Sequence, residues 1–326
     1  MSPPRGQLLD IQGLRVEFST YRGTVKALNG AELWMDPGEK VSVVGETGCG
    51  KSVTALAVMR LIEEPGGITG GRILFKGRDL AALPESELNA IRGRQIAMIF
   101  QEPVAALNPT MWVGFQIAES LQGAAVCVRP NRVRAEVERL LGVVGLDWER
   151  VIRLYPHELS GGMAQRVMIA MALASNPALL IADEPTSALD VTIQIQILDL
   201  LNGLVRQFRN AVLLITHAMG VAAFFSDKIA VMYAGNVVEF APTATLFARP
   251  AHPYTQGLLQ AVPRIGFAGE LAGIPGTVPD LVSPPSGCRF HPRCPHAMTS
   301  CSERMPALRE IAPAHHVACF LHGEER

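Results

Sequence analysis

The sequence lacks the long apolar segment that a membrane-spanning helix requires. Hydrophobic residues make up 48% of its 326 positions and the mean hydropathy is +0.22. Even so, no apolar run approaches the roughly 20 residues that cross a bilayer. The N-terminus also lacks the apolar stretch and cleavage pattern of a secretory signal peptide. We therefore expect a cytosolic protein that does not cross a membrane by itself.

An excess of basic residues is absent as well. The chain has 29 Lys and Arg against 30 Asp and Glu, a net charge of −1, which argues against a general nucleic-acid-binding protein. We find neither an internal repeat nor a low-complexity tract. The length is sufficient for a sizeable core and two or more structural units.

Short strands and helices alternate through most of the chain. Apolar runs bounded by turn residues predict strands at residues 8–18, 27–35, 41–44, 71–75, 96–100, 178–182, 211–216, 228–233 and 236–240. Helical periodicity predicts helices at residues 51–61, 84–92, 113–121, 132–144, 160–174, 192–207 and 219–225. The strand signal disappears between residues 104 and 158, which indicates a helical insertion in an α/β core. Beyond Pro242 proline is frequent and periodicity weak, which predicts a separate, loop-rich appendage.

A phosphate-binding loop is predicted between the strand at 41–44 and the helix at 51–61. The pattern G-x4-G-K-S is formed by Gly45, Glu46, Thr47, Gly48, Cys49, Gly50, Lys51 and Ser52. The glycines let backbone N–H groups wrap phosphates, Lys51 reaches the β/γ-phosphates, and Ser52 holds Mg²⁺. Cys49 serves there as a small residue.

Two further features fit nucleotide hydrolysis. Asp183 and Glu184 end an apolar strand, where Asp183 suits the Mg²⁺ shell and Glu184 suits a base for the attacking water. Ser160 is a candidate N-cap, and Gly161 and Gly162 after it open a helix whose positive end attracts an anion. The chain thus contains two loops that are predicted to bind phosphate.

Together these motifs resemble the ATP-binding subunits of ABC transporters over nearly the whole chain. The resemblance implies an α/β P-loop NTPase (RecA-like) ABC ATPase core with an antiparallel β subdomain, a helical subdomain at about 104–160 and a loop-rich C-terminal extension. It also implies that the Leu159–Met163 segment, which corresponds to the family's signature, caps the γ-phosphate of a nucleotide bound by a second ATPase subunit. ATP and Mg²⁺ are the implied ligands.

The resemblance assigns roles to four more residues. Gln101 is similar to the glutamine that links Mg²⁺ and water to the membrane subunit, and Asp190 belongs to the D-loop at residues 187–190. His217 is similar to the switch histidine that contacts the γ-phosphate. Phe18, rather than Tyr21, has the position of the aromatic residue that stacks on adenine. The chain departs from the family at Ala218, where Asp is common.

Several segments narrow the resemblance to the peptide and nickel import branch. They are residues 101–109, 155–158, 252–255 and 287–295. This branch implies an ATPase domain at 1–245 and an oligopeptide/dipeptide-transporter-type extension at 246–326. The implied partners are a related ATPase subunit, two membrane permease subunits and an extracytoplasmic binding protein, with the chain at the cytoplasmic face of the membrane. Import of peptides is expected, with nickel or another small solute as the alternative.

The C-terminal extension concentrates cysteine and histidine. Cys288, Cys294, Cys301 and Cys319 have spacings that match neither a C-x2-C zinc ribbon nor common ferredoxin patterns. The resembling importers associate this tail with a [4Fe-4S] cluster, which we expect here; zinc, free thiols and disulfides stay open as alternatives. Alternative ligands in the tail are His291, His296, His315, His316 and His322.

Other functional classes fit less well. Chromosome-structure ATPases carry a long coiled coil between phosphate loop and signature, whereas 107 residues separate Ser52 from Ser160 here. Ribosome-acting members carry two cassettes in one chain, and this chain has one. An inert ATP-binding subunit is disfavoured by the presence of both Glu184 and His217.

Overall fold

A computed structural model describes residues 7–123, 132–187, 189–262 and 273–323. These residues form two compact units. The first unit comprises residues 7–36, 40–82 and the described residues from 214 onward, and the second comprises 37–39 and the described residues between 83 and 213.

Up to residue 242 each predicted strand overlaps an observed one, and the short strand at Arg78–Asp79 is additional. In chain order they are β1 (Leu9–Thr20), β2 (Gly23–Met35), β3 (Lys40–Val44), β4 (Gly66–Phe75), β5 (Arg78–Asp79), β6 (Ile96–Ile99), β7 (Leu179–Asp183), β8 (Ala211–Thr216), β9 (Lys228–Tyr233), β10 (Asn236–Pro242), β11 (Arg309–Ala312) and β12 (His315–Val317). The short apolar strands β6, β7 and β8 are buried at every position, because a strand covered on both faces has no solvent side.

Each predicted helix is present. In chain order the helices are α1 (Lys51–Met59), α2 (Glu85–Asn89), α3 (Pro103–Ala106), α4 (Val113–Gly123), α5 (Val133–Val143), α6 (Trp148–Val151), α7 (Gly161–Leu173), α8 (Val191–Phe208), α9 (Met219–Phe225), α10 (Thr243–Ala248), α11 (Pro253–Gln260) and α12 (Thr299–Glu303). The helices α3, α6, α10, α11 and α12 were not predicted, and the last three lie in the segment expected to be loop-rich. Single 3₁₀ turns lie at Leu80–Ala82, Pro156–Glu158, His291–Arg293 and Phe320–His322. Within the described ranges, no helix is both long and apolar enough to span a bilayer.

The first unit contains two sheets. An antiparallel sheet has the order β2-β1-β4-β5. In the second, β3 pairs in parallel with β9, and β9 turns into β10 through Ala234 and Gly235, which both have positive φ. Trp34 of β2 packs edge-on against Phe240 of β10, with ring centroids 4.8 Å apart. This contact joins the two sheets into one core.

The C-terminal tail contributes strands that its sequence does not predict. β12 pairs antiparallel with β10, and β11 pairs antiparallel with β12. The tail also supplies Phe290, whose ring lies 5.1 Å from that of Tyr233 and 5.4 Å from that of Tyr254. Because these contacts join residues far apart in the chain, local periodicity carries no sign of them.

The second unit pairs β6 in parallel with β7. Between these strands the described residues are helical, from α3 to α7, as the missing strand signal predicts. Helix α7 packs against α3, α4 and α5. The unit also contains α8, which begins at Asp190 as N-cap and buries Ile197, Leu198 and Leu201.

Candidate nucleotide-binding site

The predicted phosphate loop connects β3 to α1 in the first unit. Gly45 lies against the backbone carbonyl of Met232, and a Cβ at Gly45 would collide with that oxygen. Gly50 has φ +105°, and its Cβ would lie 2.7 Å from Leu28 Cδ2. A loop this close to neighbouring backbone requires glycine at both positions.

Lys51 is the first residue of α1, and its ammonium group points back into the loop. Its Nζ donates to the carbonyl oxygens of Gly45 at 2.9 Å and Glu46 at 3.1 Å. Lys51 is 6% exposed, so the positive charge is held within the loop rather than in solvent. At the start of α1, Gly50 offers no side chain as a cap, and the N-terminus of a helix favours an anion. This arrangement fits a phosphate chain.

Cys49, inside the same loop, is a buried thiol. Burial raises its pKa to about 11, opposed by the nearby Lys51. The neutral thiol therefore acts as a small packing residue, in keeping with its predicted place in the loop.

Two other predicted residues lie in the first unit. Phe18 is half-buried on β1, and its ring covers Gly66 so closely that a Cβ there would strike it. His217 follows β8 and is exposed. The next residue, Ala218, is the N-cap of α9, but its side chain cannot accept a hydrogen bond from the helix. Its own N–H donates to Thr216 Oγ1 at 3.1 Å. That local bond supports the turn where the family usually has Asp.

The second unit brings two predicted catalytic residues together. Gln101 Nε2 donates to Glu184 Oε2 at 3.4 Å. Asp183 ends β7 and is 6% exposed, whereas Glu184 directly after it has φ +45°. A left-handed conformation is costly for a residue with a Cβ and often marks a functional turn. The Ser187 N–H and hydroxyl both donate to the Glu184 carbonyl, at 3.2 and 3.1 Å, and thereby hold this turn.

The predicted signature segment opens α7 in the second unit. Ser160 is the N-cap, and its hydroxyl accepts a bond from Met163 N at 3.3 Å. A Cβ on Gly162 would lie 3.2 Å from Ile193 Cγ2, so the signature lies beside the first turn of α8. The N-cap of that helix is Asp190, which accepts from Ile193 N at 3.0 Å. The signature and the last residue of the D-loop, Asp190, are therefore neighbours within this unit. Ala188 of the D-loop lies outside the described residues.

Each unit contains side chains that fit the expected ligands. The Ser52 hydroxyl in the first unit is a hard oxygen donor of the kind that Mg²⁺ prefers, and so is the Asp183 carboxylate in the second. Lys51 supplies the fixed positive charge for phosphates. The individual roles of these residues stay predictions.

The prediction of an iron–sulfur cluster is wrong. Among the described residues, no group of three or more Cys, His, Asp or Glu is arranged to hold a metal ion, which counts equally against zinc. The four tail cysteines are free and line a cavity of only about 10 Å³, close to the volume that one water occupies. Burial raises the pKa of Cys288 to about 11 and also raises the pKa of Cys294 and Cys319. Cys288, Cys294 and Cys319 are therefore neutral thiols, and Phe290 and Phe320 line the same cavity.

The tail histidines mostly bind protein groups instead. His291 Nδ1 lies 2.9 Å from the Cys288 carbonyl oxygen, and His322 Nε2 lies 3.0 Å from that of Ala251. His315 Nε2 lies 2.8 Å from Glu239 Oε1, which is fully buried. The His291 and His322 contacts lie within the tail, and the His315 contact joins the tail to β10.

Sequence reasoning missed the contacts between the tail and the phosphate loop. Arg293 forms an ion pair with Glu46, and the Tyr254 hydroxyl accepts a bond from Glu46 N at 3.0 Å. Tyr254 lies in one of the segments that resemble the importer branch, but nothing in its spacing points to the loop. The only local signal was an acidic residue inside a phosphate-binding pattern.

The strand, phosphate loop and helix define a P-loop nucleotide-binding protein. Among solved structures, the chain is similar to a dimeric ATP-binding cassette, MJ0796, in a post-hydrolysis state with ADP and Pi, with a TM-score of 0.66 and 28% identity. The match covers 72% of this chain and 99% of that chain.

Two sequence families match the chain. Residues 28–187 match the ABC transporter family, and residues 238–301 match the oligopeptide/dipeptide transporter C-terminal region. A probable peptide ABC transporter ATP-binding protein of Sinorhizobium fredii is 48% identical, over 99% of this chain and 97% of its own length. The oligopeptide transport ATP-binding protein OppD of Salmonella typhimurium is 47% identical, over 99% and 96%. The chain belongs to the ABC transporter ATP-binding proteins with this C-terminal region, and ATP and Mg²⁺ are the ligands of that family.

Proposed function

We propose that the chain is the ATP-hydrolysing subunit that energises an ABC importer for peptides. The observation that carries the proposal is similarity along almost the entire chain to proteins named as peptide transport ATP-binding proteins, tail included. The dipeptide transport protein DppD of Bacillus subtilis is likewise 47% identical over 98% of this chain. We propose residues 1–245 as the ATPase domain and residues 246–326 as the extension of this branch.

In the proposed reaction, Lys51 and the loop N–H groups bind the phosphates of ATP, while Ser52 and Asp183 hold Mg²⁺. Glu184 accepts a proton from the attacking water, and Gln101, which donates to Glu184, orients that water. His217 contacts the γ-phosphate, and the Phe18 ring stacks on adenine. These assignments are supported by the family to which the chain belongs, whose motifs these residues match.

The signature loop is proposed to act on a nucleotide held by another subunit. Ser160, Gly161 and Asp190 are exposed on the second unit, so a partner can approach them. The dimeric state of the related MJ0796 cassette supports an arrangement of this kind. We propose a related ATPase chain as the partner.

A groove among the helices of the second unit suits a membrane subunit. It has a volume of about 620 Å³ and is lined by Trp112, Phe115, Val133, Val137 and Trp148 among others. Phe115 is 59% exposed and Trp112 is 37% exposed, which is unusual for large apolar side chains outside an interface. We propose that two permease subunits bind such grooves, with the chain peripheral at the cytoplasmic face and a binding protein outside.

The test is peptide-stimulated ATP hydrolysis by the assembled transporter in proteoliposomes. Glu184→Gln is expected to abolish turnover while ATP still binds, because Gln retains the size but not the basicity of the side chain. Asp199→Asn is the matched control, since Asp199 is an exposed carboxylate on α8 of the same unit and has no role in the proposed reaction. Undiminished turnover in E184Q would refute Glu184 as the base, and an absence of peptide stimulation in the parent would refute peptide import.

A further inference from the structure

The phosphate loop carries a negative charge where a phosphate site disfavours one. Glu46 is the second residue of the loop, adjacent to Gly45 and five positions before Lys51. Its side chain is only 30% exposed, so solvent does not fully screen the carboxylate. An uncompensated carboxylate here would repel the phosphates that the loop binds.

Arg293, from the C-terminal tail, compensates this charge. Arg293 Nη1 donates to Glu46 Oε2 at 2.7 Å and Nη2 donates to Oε1 at 3.1 Å, a two-pronged ion pair. The Arg293 side chain is 6% exposed. Pairs with this geometry, shielded from water, are stronger than the exposed pairs on a protein surface.

The guanidinium group is fixed by the remaining contacts. Nε donates to the Pro275 carbonyl at 2.8 Å, Nη2 also donates to the Ile274 carbonyl at 3.2 Å, and Nη1 also donates to the Tyr233 hydroxyl at 3.3 Å. All five guanidinium N–H groups therefore have an acceptor. The group cannot turn away from Glu46 without breaking several bonds at once.

A second bond holds the backbone at the same residue. The Tyr254 hydroxyl accepts from Glu46 N at 3.0 Å, and Tyr254 is fully buried against Tyr233 and Phe290. The tail thus binds both the side chain and the backbone N–H of Glu46. The Glu46 carbonyl, in turn, accepts a bond from Lys51 Nζ at 3.1 Å.

We propose that Arg293 is a positioning residue for the phosphate loop: it cancels the Glu46 charge and holds that carboxylate on the tail, so that the tail sets the affinity for nucleoside triphosphate. This inference rests on the proposed function of Gly45–Ser52 as the phosphate loop. It assigns the tail a direct part in nucleotide binding.

The test is calorimetric titration of the full-length chain with MgATP. Arg293→Gln is expected to weaken binding about tenfold, because it leaves one unit charge uncancelled in a partly buried site. Glu46→Gln is expected to bind at least as tightly as the parent, since it removes the repelling charge. The double variant E46Q/R293Q is expected to regain the affinity that R293Q loses.

A merely structural role predicts a different pattern. If Arg293 only stabilises the tail, E46Q alone weakens binding and the double variant binds as poorly as R293Q; that result would overturn the proposal. So would parental affinity in R293Q. Should R293Q fail to fold, comparing the MgATP affinity of E46Q with that of the parent still shows whether the Glu46 charge weakens binding. Arg293→Lys, which keeps the positive charge, is expected to lose less affinity than R293Q.

Two further variants separate this inference from the proposed function. Asp280→Asn removes another tail ion pair, with Arg22 at 3.4 Å, which is exposed and does not touch the loop; it is expected to bind MgATP like the parent. A loss in D280N equal to that in R293Q would count against a specific role for Arg293. Lys51→Ala is expected to abolish tight binding. If K51A binds normally, the phosphate-loop assignment itself fails, whereas a K51A defect with a normal R293Q refutes only the present inference.

Discussion

The tail should make the stability of the first unit depend on pH through one buried histidine. His252 is the N-cap of α11, is 1% exposed, and its Nδ1 accepts a bond from Tyr254 N at 3.0 Å. Burial lowers the pKa of His252 to about 3, with a smaller contribution from His322. An unfolded histidine titrates near 6.5. Between those two values the unfolded chain binds a proton that the folded chain does not.

The magnitude follows from this difference in proton binding. The contribution is fully present above pH 6.5 and is lost as pH falls toward the folded pKa of about 3. Each pH unit within the window lowers the free energy of unfolding by about 1.4 kcal/mol. From pH 6.5 to pH 5 the loss attributable to His252 is therefore about 2 kcal/mol, a large share of the stability of a typical domain.

His252→Asn isolates this effect, because asparagine is among the best N-cap residues and retains an acceptor for the Tyr254 N–H. Urea unfolding at several pH values between 5 and 7.5 gives the free energy of unfolding of each chain. The variant is expected to start less stable, since its side chain is smaller, but to lose about 2 kcal/mol less than the parent between pH 6.5 and 5. All other titrating groups are common to both chains. Equal pH dependence in the two chains would refute the reasoning.

Three other changes test the site and its surroundings. Tyr254→Phe keeps the buried ring but leaves Glu46 N without its acceptor, so it is expected to lower the free energy of unfolding by about 1–3 kcal/mol in urea titrations and to weaken MgATP binding; unchanged values would show that the bond contributes nothing. Gly50→Ala is expected to destabilise the chain and impair MgATP binding, because φ is +105° and the new Cβ would lie 2.7 Å from Leu28 Cδ2; a normal melting temperature and normal affinity would contradict the loop geometry. Phe115→Ser is expected to leave the melting temperature of the isolated chain nearly unchanged, since the ring is 59% exposed, but to reduce co-purification with permease subunits; full co-purification would count against the groove.

Local structure was predictable from the sequence wherever it depends on neighbouring residues. The strand predicted at 211–216 is β8 with the same bounds, and the helix predicted from residue 51 is α1. An apolar run between turn residues, or glycines before a helix, is sufficient information for such elements. The predicted Ser160 N-cap is confirmed by its bond from Met163 N.

Contacts between distant parts of the chain were not predictable in this way. Glu46 and Arg293 are 247 residues apart, and neither has a neighbour pattern that identifies the other. The same holds for β12, whose three residues join β10 without the length or alternation that indicates a strand. The iron–sulfur expectation came from the family resemblance and not from the cysteine spacing, and it failed because the cavity left among the thiols and packed rings is too small to hold a cluster.

The conformation of Glu184 was only partly predictable from the sequence. Its identity after an apolar strand predicts a catalytic carboxylate, but its φ of +45° is set by the turn that follows. A left-handed conformation costs a residue with a Cβ about 1 kcal/mol or more, and the two bonds from Ser187 to its carbonyl help to offset that cost. A glycine would adopt the turn without strain, yet it would supply no carboxylate next to Gln101. A glutamate in this strained conformation is therefore expected where function requires its carboxylate and not the turn itself.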